Sequence, residues 1–149
     1  MKNNINIIFM VGLLLFSLFF ITSCVPEDIN VTTPADLIAV PPEGLADYCD
    51  TVETGDLTAL DLDLRVHIKN QGGTLAESST VVVDFGNCGN SVQSVPAIPA
   101  GNTVSVLLAM PIDCLSGDWG FTIIVDYYDD VEEGTDGEAN NSQIGNCVR

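Results

Sequence analysis

Apolar and polar residues alternate with a period of two along most of the chain beyond residue 36. The clearest stretch is Leu60–Lys69, where Leu60, Leu62, Leu64, Val66 and Ile68 share one side and Asp61, Asp63, Arg65, His67 and Lys69 the other. Such alternation predicts a strand with one packed and one wet face. Gln71-Gly72-Gly73 then turns the chain. Thr80–Phe85 follows, with Val81, Val83 and Phe85 inward, and stops at the turn cluster Gly86-Asn87-Cys88-Gly89-Asn90. Val92–Val95 is a shorter strand ahead of Pro96 and Pro99. Thr103–Met110 points Val104, Val106, Leu108 and Met110 inward, and Trp119–Tyr127 does the same with Trp119, Phe121, Ile123, Val125 and Tyr127. Leu37–Val40 supplies a first strand and Asn141–Cys147 a last one. Seven short strands, with turns every ten or so residues and no helical periodicity beyond the first two dozen residues, predict an all-β fold. The expected arrangement is a two-sheet antiparallel β-sandwich with Greek-key connections. Neither an internal repeat nor a second domain is evident.

The N-terminal segment breaks this pattern. Lys2 stands in a polar start, and a continuous apolar run from Ile7 to Ile21 is interrupted only by Gly12 and Ser17. It falls short of the ~20 residues a membrane-spanning helix needs and matches the apolar region of a signal peptide. Ile21-Thr22-Ser23-Cys24 resembles the lipobox of bacterial lipoproteins, in which the cysteine is acylated after cleavage. The expected organisation is a signal peptide over 1–23, a tether over 24–35 starting at a lipidated Cys24, and a sandwich domain over 36–149. Each buried methylene of an attached lipid contributes ~0.8 kcal/mol, so two or three chains would anchor the protein to a membrane durably. The polar, two-proline stretch 25–35 would lift the domain off the bilayer. Glu27-Asp28, so near the cysteine, faintly resembles the surface-export signals of some Gram-negative lipoproteins. A cell-envelope location follows as an expectation, on the outer membrane and facing outward.

Charge narrows the partners. Beyond the leader, three cations (Arg65, Lys69, Arg149) face 21 acids, a balance of −18. Such a surface repels phosphate backbones, which excludes nucleic-acid binding, and it favours solubility and attraction of metal cations. Setting Cys24 aside, Cys49, Cys88, Cys114 and Cys147 remain, an even number in an exported small domain. Two disulfides are expected, with three connectivities open. A four-cysteine metal site is disfavoured, because the closest pair is 26 positions apart and none has C-x-x-C spacing. If successive strands reverse direction, all four cysteines gather at one end of the sandwich. An immunoglobulin-like placement of first and last strands then pairs Cys49 with Cys147 and Cys88 with Cys114.

Several local motifs resemble the CARDB domain, the cell-adhesion-related domain found in bacteria. Leu64-Arg65-Val66-His67-Ile68-Lys69-Asn70-Gln71-Gly72-Gly73 is similar to its second strand and turn, with an N-x-G signature. Ile98-Pro99-Ala100-Gly101-Asn102-Thr103-Val104-Ser105-Val106 resembles the approach to its fifth strand. Val125-Asp126, Val131, Glu133 and Glu138-Ala139-Asn140-Asn141 resemble its closing pattern. The resemblance spans about residues 36–147. It implies a seven-stranded immunoglobulin-like sandwich, a role in adhesion or carbohydrate contact, and no catalytic residues. The loop between Asp126 and Asn140 is longer than the pattern expects, and four cysteines are not part of it.

The acidic loop is the leading candidate for chemistry. Asp126, Asp129, Asp130, Glu132, Glu133, Asp136, Glu138 and Asn140 offer oxygens of the kind calcium requires. Their spacing does not fit an EF-hand, since Val131 occupies a ligand position. The competing expectation is that these groups make turn hydrogen bonds or are solvated. No other cofactor is expected. His67, the one histidine, is expected to face water between Arg65 and Lys69, leaving no histidine to pair with a serine. Without a G-x-S-x-G motif and with its cysteines oxidised, the chain is expected not to be an enzyme. A two-carboxylate hydrolase is a distant third possibility. The functional expectation is a lipid-anchored binding or adhesion module that recognises a protein or glycan. Its alternative is a structural spacer or assembly subunit of the envelope with no free ligand.

Overall fold

The longest alternating run folds as the longest strand, β3 (Leu62–Asn70), with Leu64, Val66 and Ile68 buried and the residues between them partly exposed. The computed structural model describes residues 32–54, 62–114 and 118–148, without the side chains of residues 113, 135 and 136. Residues 1–23, expected to be a signal peptide, lie outside the described residues, as do Cys24, Leu60 and Asp61.

β3 organises the first sheet. One of its edges pairs with β6 (Thr103–Ala109), Val66 facing Val106. Its other edge is shared by two strands in line, β1 (Leu37–Val40) against Asn70–His67 and β2 (Thr51–Glu53) against Leu64–Leu62. Among the described residues the sandwich therefore has eight strands where seven were expected. Pro41 and Pro42 carry no N–H for the ladder and end β1. The chain loops out and returns at Asp50, whose carbonyl accepts the Arg65 N–H at 2.7 Å, and β2 resumes the same edge.

The second sheet has the order β5 (Asn90–Val95), β4 (Ser79–Asp84), β7 (Trp119–Ile124), β8 (Ser142–Cys147), all antiparallel. Inward residues of both sheets form one core, in which Val81, Val83, Phe85, Leu108, Phe121, Ile123 and Val125 are buried. Phe85, Trp119 and Phe121 stack with ring centroids 5.3–6.2 Å apart. Phe121 faces Gly145 across the sheet, and a Cβ on Gly145 would meet the ring at 2.3 Å. Only glycine leaves the aromatic that space. Where the sheets meet at β5 and β6, Ser91 Oγ donates to the Ala109 carbonyl.

Disulfides join Cys49 to Cys147 and Cys88 to Cys114, with Cα separations of 5.3 and 5.7 Å. Cys147 lies opposite Trp119, which stacks on Phe85 just before Cys88, so the four cysteines cluster at one end.

Two further departures are local. A single helical turn, α1 (Gly134–Gly137), and short 3-10 turns at Gly86–Cys88 and Ile112–Cys114 interrupt the strands. Turns this short leave no periodicity to read. β7 also ends at Ile124, three residues before the expected Tyr127. Asp126 adopts φ 47°, and Val125 and Asp126 are both buried, which breaks the alternation and turns Tyr127 outward.

Candidate functional site

The loop 126–141 that closes the second sheet is built from inward-turned acids. Asp126 Oδ1 and Oδ2 accept the backbone N–H groups of Asp130 (3.0 Å) and Val131 (2.9 Å), so its carboxylate caps the turn. Val131 is driven into the core. Glu133, only 2% exposed, reaches across the sandwich and accepts the Leu37 N–H at 2.6 Å, pinning the loop to the first strand. Burial pushes the Glu133 carboxyl up to about 7, and the nearby carboxylates of Asp126 and Glu138 add to the shift. The Leu37 N–H and the Asn141 amide oppose it. Glu138 is also shifted upward, by partial desolvation and then by the Asp129 carboxylate. Asn140 Nδ2 donates to Asp36 Oδ1 at 3.0 Å, tying the end of the loop to the start of the domain.

Of the eight residues expected as possible calcium ligands, Asp126 commits both carboxylate oxygens and Glu133 one to backbone donors. Asp129, Asp130, Glu132 and Glu138 are exposed, and the Asp136 side chain lies outside the described residues. Among the described residues, no three histidine, cysteine, aspartate or glutamate side chains group closely enough to hold a metal.

The outer face of the second sheet has a different character. Strand alternation places Val92, Val82, Ile124 and Ile144 on that face, in cross-strand register Val82–Val92, Val82–Ile124 and Ile144–Thr122. Val92 is 54% and Ile144 73% exposed, while Val82 between them is buried. Val82, Asp84, Ile124 and Tyr127 line a shallow recess of about 310 Å³ on this face. Tyr127 and Tyr128 stand exposed at the end of β7 in an edge-to-face pair, centroids 5.1 Å apart. The apolar strand positions of this face are not among the sites expected from the sequence. Its signal was present in Val82, Val92, Ile124 and Ile144, apolar residues at positions that the alternation leaves to solvent.

A family model, CARDB, matches residues 50–144, more than half of the chain. The chain belongs to the CARDB family. No curated protein matches it. Among solved structures, it is similar to a solution NMR domain from a Methanosarcina acetivorans protein provisionally described as a cell surface protein. That likeness has a TM-score of 0.56 at 22% identity and covers 77% of this chain and 91% of the other. The shared feature is the fold.

The CARDB-like motifs now have physical roles. Asn70 of the N-x-G turn is fully buried and makes four hydrogen bonds. Its Nδ2 donates to the carbonyls of Thr74 (2.8 Å) and Ile98 (2.9 Å), and its Oδ1 accepts the N–H of Asp36 (3.2 Å) and Gly72 (3.0 Å). The Gly72 position lies against the backbone of Pro34 and Ala35, where a Cβ would fall 2.1 Å from a carbonyl oxygen. In this CARDB domain the motif residues hold the loops at one end of the sandwich.

His67 departs from expectation. It is not a free solvent-facing residue: its Nε2 lies 3.0 Å from Asp50 Oδ2 and its Nδ1 2.8 Å from Ser105 Oγ. In the tautomer protonated at Nε2, His67 donates to Asp50 and accepts from the serine, so a histidine does pair with a serine here. Asp50 Oδ2 also meets Arg65 Nη1 at 3.3 Å. Acyl transfer needs N–H donors aimed at a developing oxyanion beside the nucleophile. Ser105 instead sits mid-strand on β6, directly opposite His67 on a sheet face. The network clips the start of β2 to β3 and β6.

Proposed function

We propose that this CARDB domain is a non-catalytic binding or adhesion module of the cell surface. It would be held to the membrane by lipid on Cys24 and engage a protein or glycan partner through the outer face of the second sheet. One observation carries this reading: Val92, Ile144, Tyr127 and Tyr128 are exposed, with Tyr127 at the edge of a recess, on a chain whose net charge of −17 otherwise favours hydration. Tyrosines with one polar tip suit a face that is wet when free and covered when bound. A spacer that binds nothing has no use for Ile144 and Val92 on an open sheet, where they cost solubility. The family match and the neighbour's cell-surface description agree with an outward location.

Two measurements test it. Protease treatment of intact cells, followed by mass spectrometry of released peptides, is expected to yield fragments of residues 32–148. No release would end the cell-surface reading. Cells carrying Ile144→Glu or Tyr128→Ala are expected to attach several-fold less well than wild type, to the level of cells lacking the chain. Leu107→Glu, on the other sheet, is expected to leave attachment unchanged. Equal attachment by all of these strains would remove the adhesion role.

A further inference from the structure

Asp36 and Glu133 are 97 positions apart and meet at the edge of one recess of about 290 Å³, formed where the first strand, the turn after β3 and α1 come together. Glu133 Oε1 is occupied by the Leu37 N–H, but its Oε2 is buried with no hydrogen-bond partner. Oε2 and Asp36 Oδ1 lie 3.5 and 3.6 Å from the point a Cβ on Gly137 would occupy, so both oxygens flank the same small volume. Asn140 holds Asp36 through its Nδ2, while its own Oδ1 is likewise buried and unpartnered. Every orphaned side-chain atom here is an oxygen acceptor.

Burying an acceptor without a donor costs about 1–3 kcal/mol, and more when it is charged. A hydrogen-bond donor would satisfy one such oxygen. Two carboxylates and an amide oxygen, walled by an acidic loop, call for positive charge. We infer that this recess binds one calcium-class divalent cation through Glu133 Oε2, the Asp36 carboxylate and Asn140 Oδ1, with water completing the shell. An all-oxygen donor set suits a hard cation. Calcium tolerates irregular geometry and mixed protein and water ligands, whereas magnesium demands a near-ideal octahedron. The ligands come from the beginning and the end of the domain, so the ion clasps the loop 126–141 to the point where the chain enters the fold. The site is smaller than the eight-residue set the sequence pattern offered, and two of its three residues belong to that set.

The test uses the full-length chain in detergent, stripped with a chelator and titrated with CaCl2 by calorimetry. One ion per chain is expected, with a dissociation constant of about 10⁻⁴–10⁻³ M, as in extracellular modules. A raised thermal midpoint should accompany it, and MgCl2 should bind at least tenfold more weakly. Asp36→Asn and Glu133→Gln each keep the side chain's size and one acceptor oxygen while removing its charge, and each is expected to weaken calcium binding at least tenfold. Asp84→Asn, on the second sheet, is expected to leave it unchanged. If Glu133→Gln does not fold, Asp36→Asn still decides the matter. Absence of stoichiometric binding at millimolar calcium overturns the inference. Binding or stabilisation that Asp36→Asn and magnesium share equally with wild type and calcium overturns it as well, since that is diffuse counterion attraction.

Discussion

Asn70 shows how one side chain can hold several loops. Its four hydrogen bonds satisfy two N–H groups and two carbonyls drawn from the first strand, the turn after β3 and the segment before β6. Replacing it with alanine strands those groups in the interior. Asn70→Ala is expected to lower stability by at least about 3 kcal/mol, measured by urea unfolding. Asn70→Asp is expected to be no better, since it swaps the donor facing two carbonyls for a third acceptor. Glu133 makes a second residue-scale prediction, this time in pH. Its carboxyl is raised from the ordinary 4.5 to about 7 in the fold, so between those values the native state binds more protons than the unfolded chain. Its contribution is fully present below about 4.5 and is lost as pH rises through about 7. In the presence of a chelator, unfolding free energy should therefore fall over this window more steeply for wild type than for Glu133→Gln. Parallel profiles would contradict the assignment.

At the scale of elements, strand interruption decides more than strand propensity. The edge of β3 is covered in two pieces because Pro41 and Pro42 cannot donate to the ladder, and the looped-out segment carries Cys49 and Asp50 to where they are used. In the second sheet, β8 packs through an absence: Gly145 leaves room for the Phe121 ring. Gly145→Val would drive the ring out of the stack with Trp119 and Phe85. A loss of about 2 kcal/mol or more in thermal or urea unfolding is expected, together with a changed tryptophan fluorescence spectrum. A silent substitution would mean that the ring has another low-energy position.

For the whole molecule, the two disulfides differ in the loop they close. Cys49–Cys147 spans 98 positions and Cys88–Cys114 spans 26. In the chain-entropy model, removing the first costs about 4.7 kcal/mol and the second about 3.5. The double variant Cys49→Ala/Cys147→Ala is thus expected to unfold at lower urea than Cys88→Ala/Cys114→Ala. The reverse order would show that local packing, and not loop closure, dominates. High negative charge works against compaction and against self-association, so added salt is expected to stabilise the domain modestly.

The sequence alone determined what period-two alternation can carry: the all-β class, the central strand through Leu64, Val66 and Ile68, and the inward aromatic set of Trp119 and Phe121. Those features depend on neighbouring residues facing opposite ways, a property of the chain itself. Where alternation breaks, the reason is local: Pro41-Pro42 interrupt the edge along β3, and the positive φ of Asp126 turns Tyr127 outward. Only the tertiary structure decided which acids are buried, because burial depends on what packs above a residue and not on its neighbours in line. Asp126 and Glu132 look alike as letters, yet one caps a turn from inside and the other faces water. The meeting of Asp36 with Glu133 likewise required the chain to fold, while that of Asp50 and Ser105 with His67, and the sharing of one open face by Val92 and Ile144, required strands distant in sequence to join one sheet.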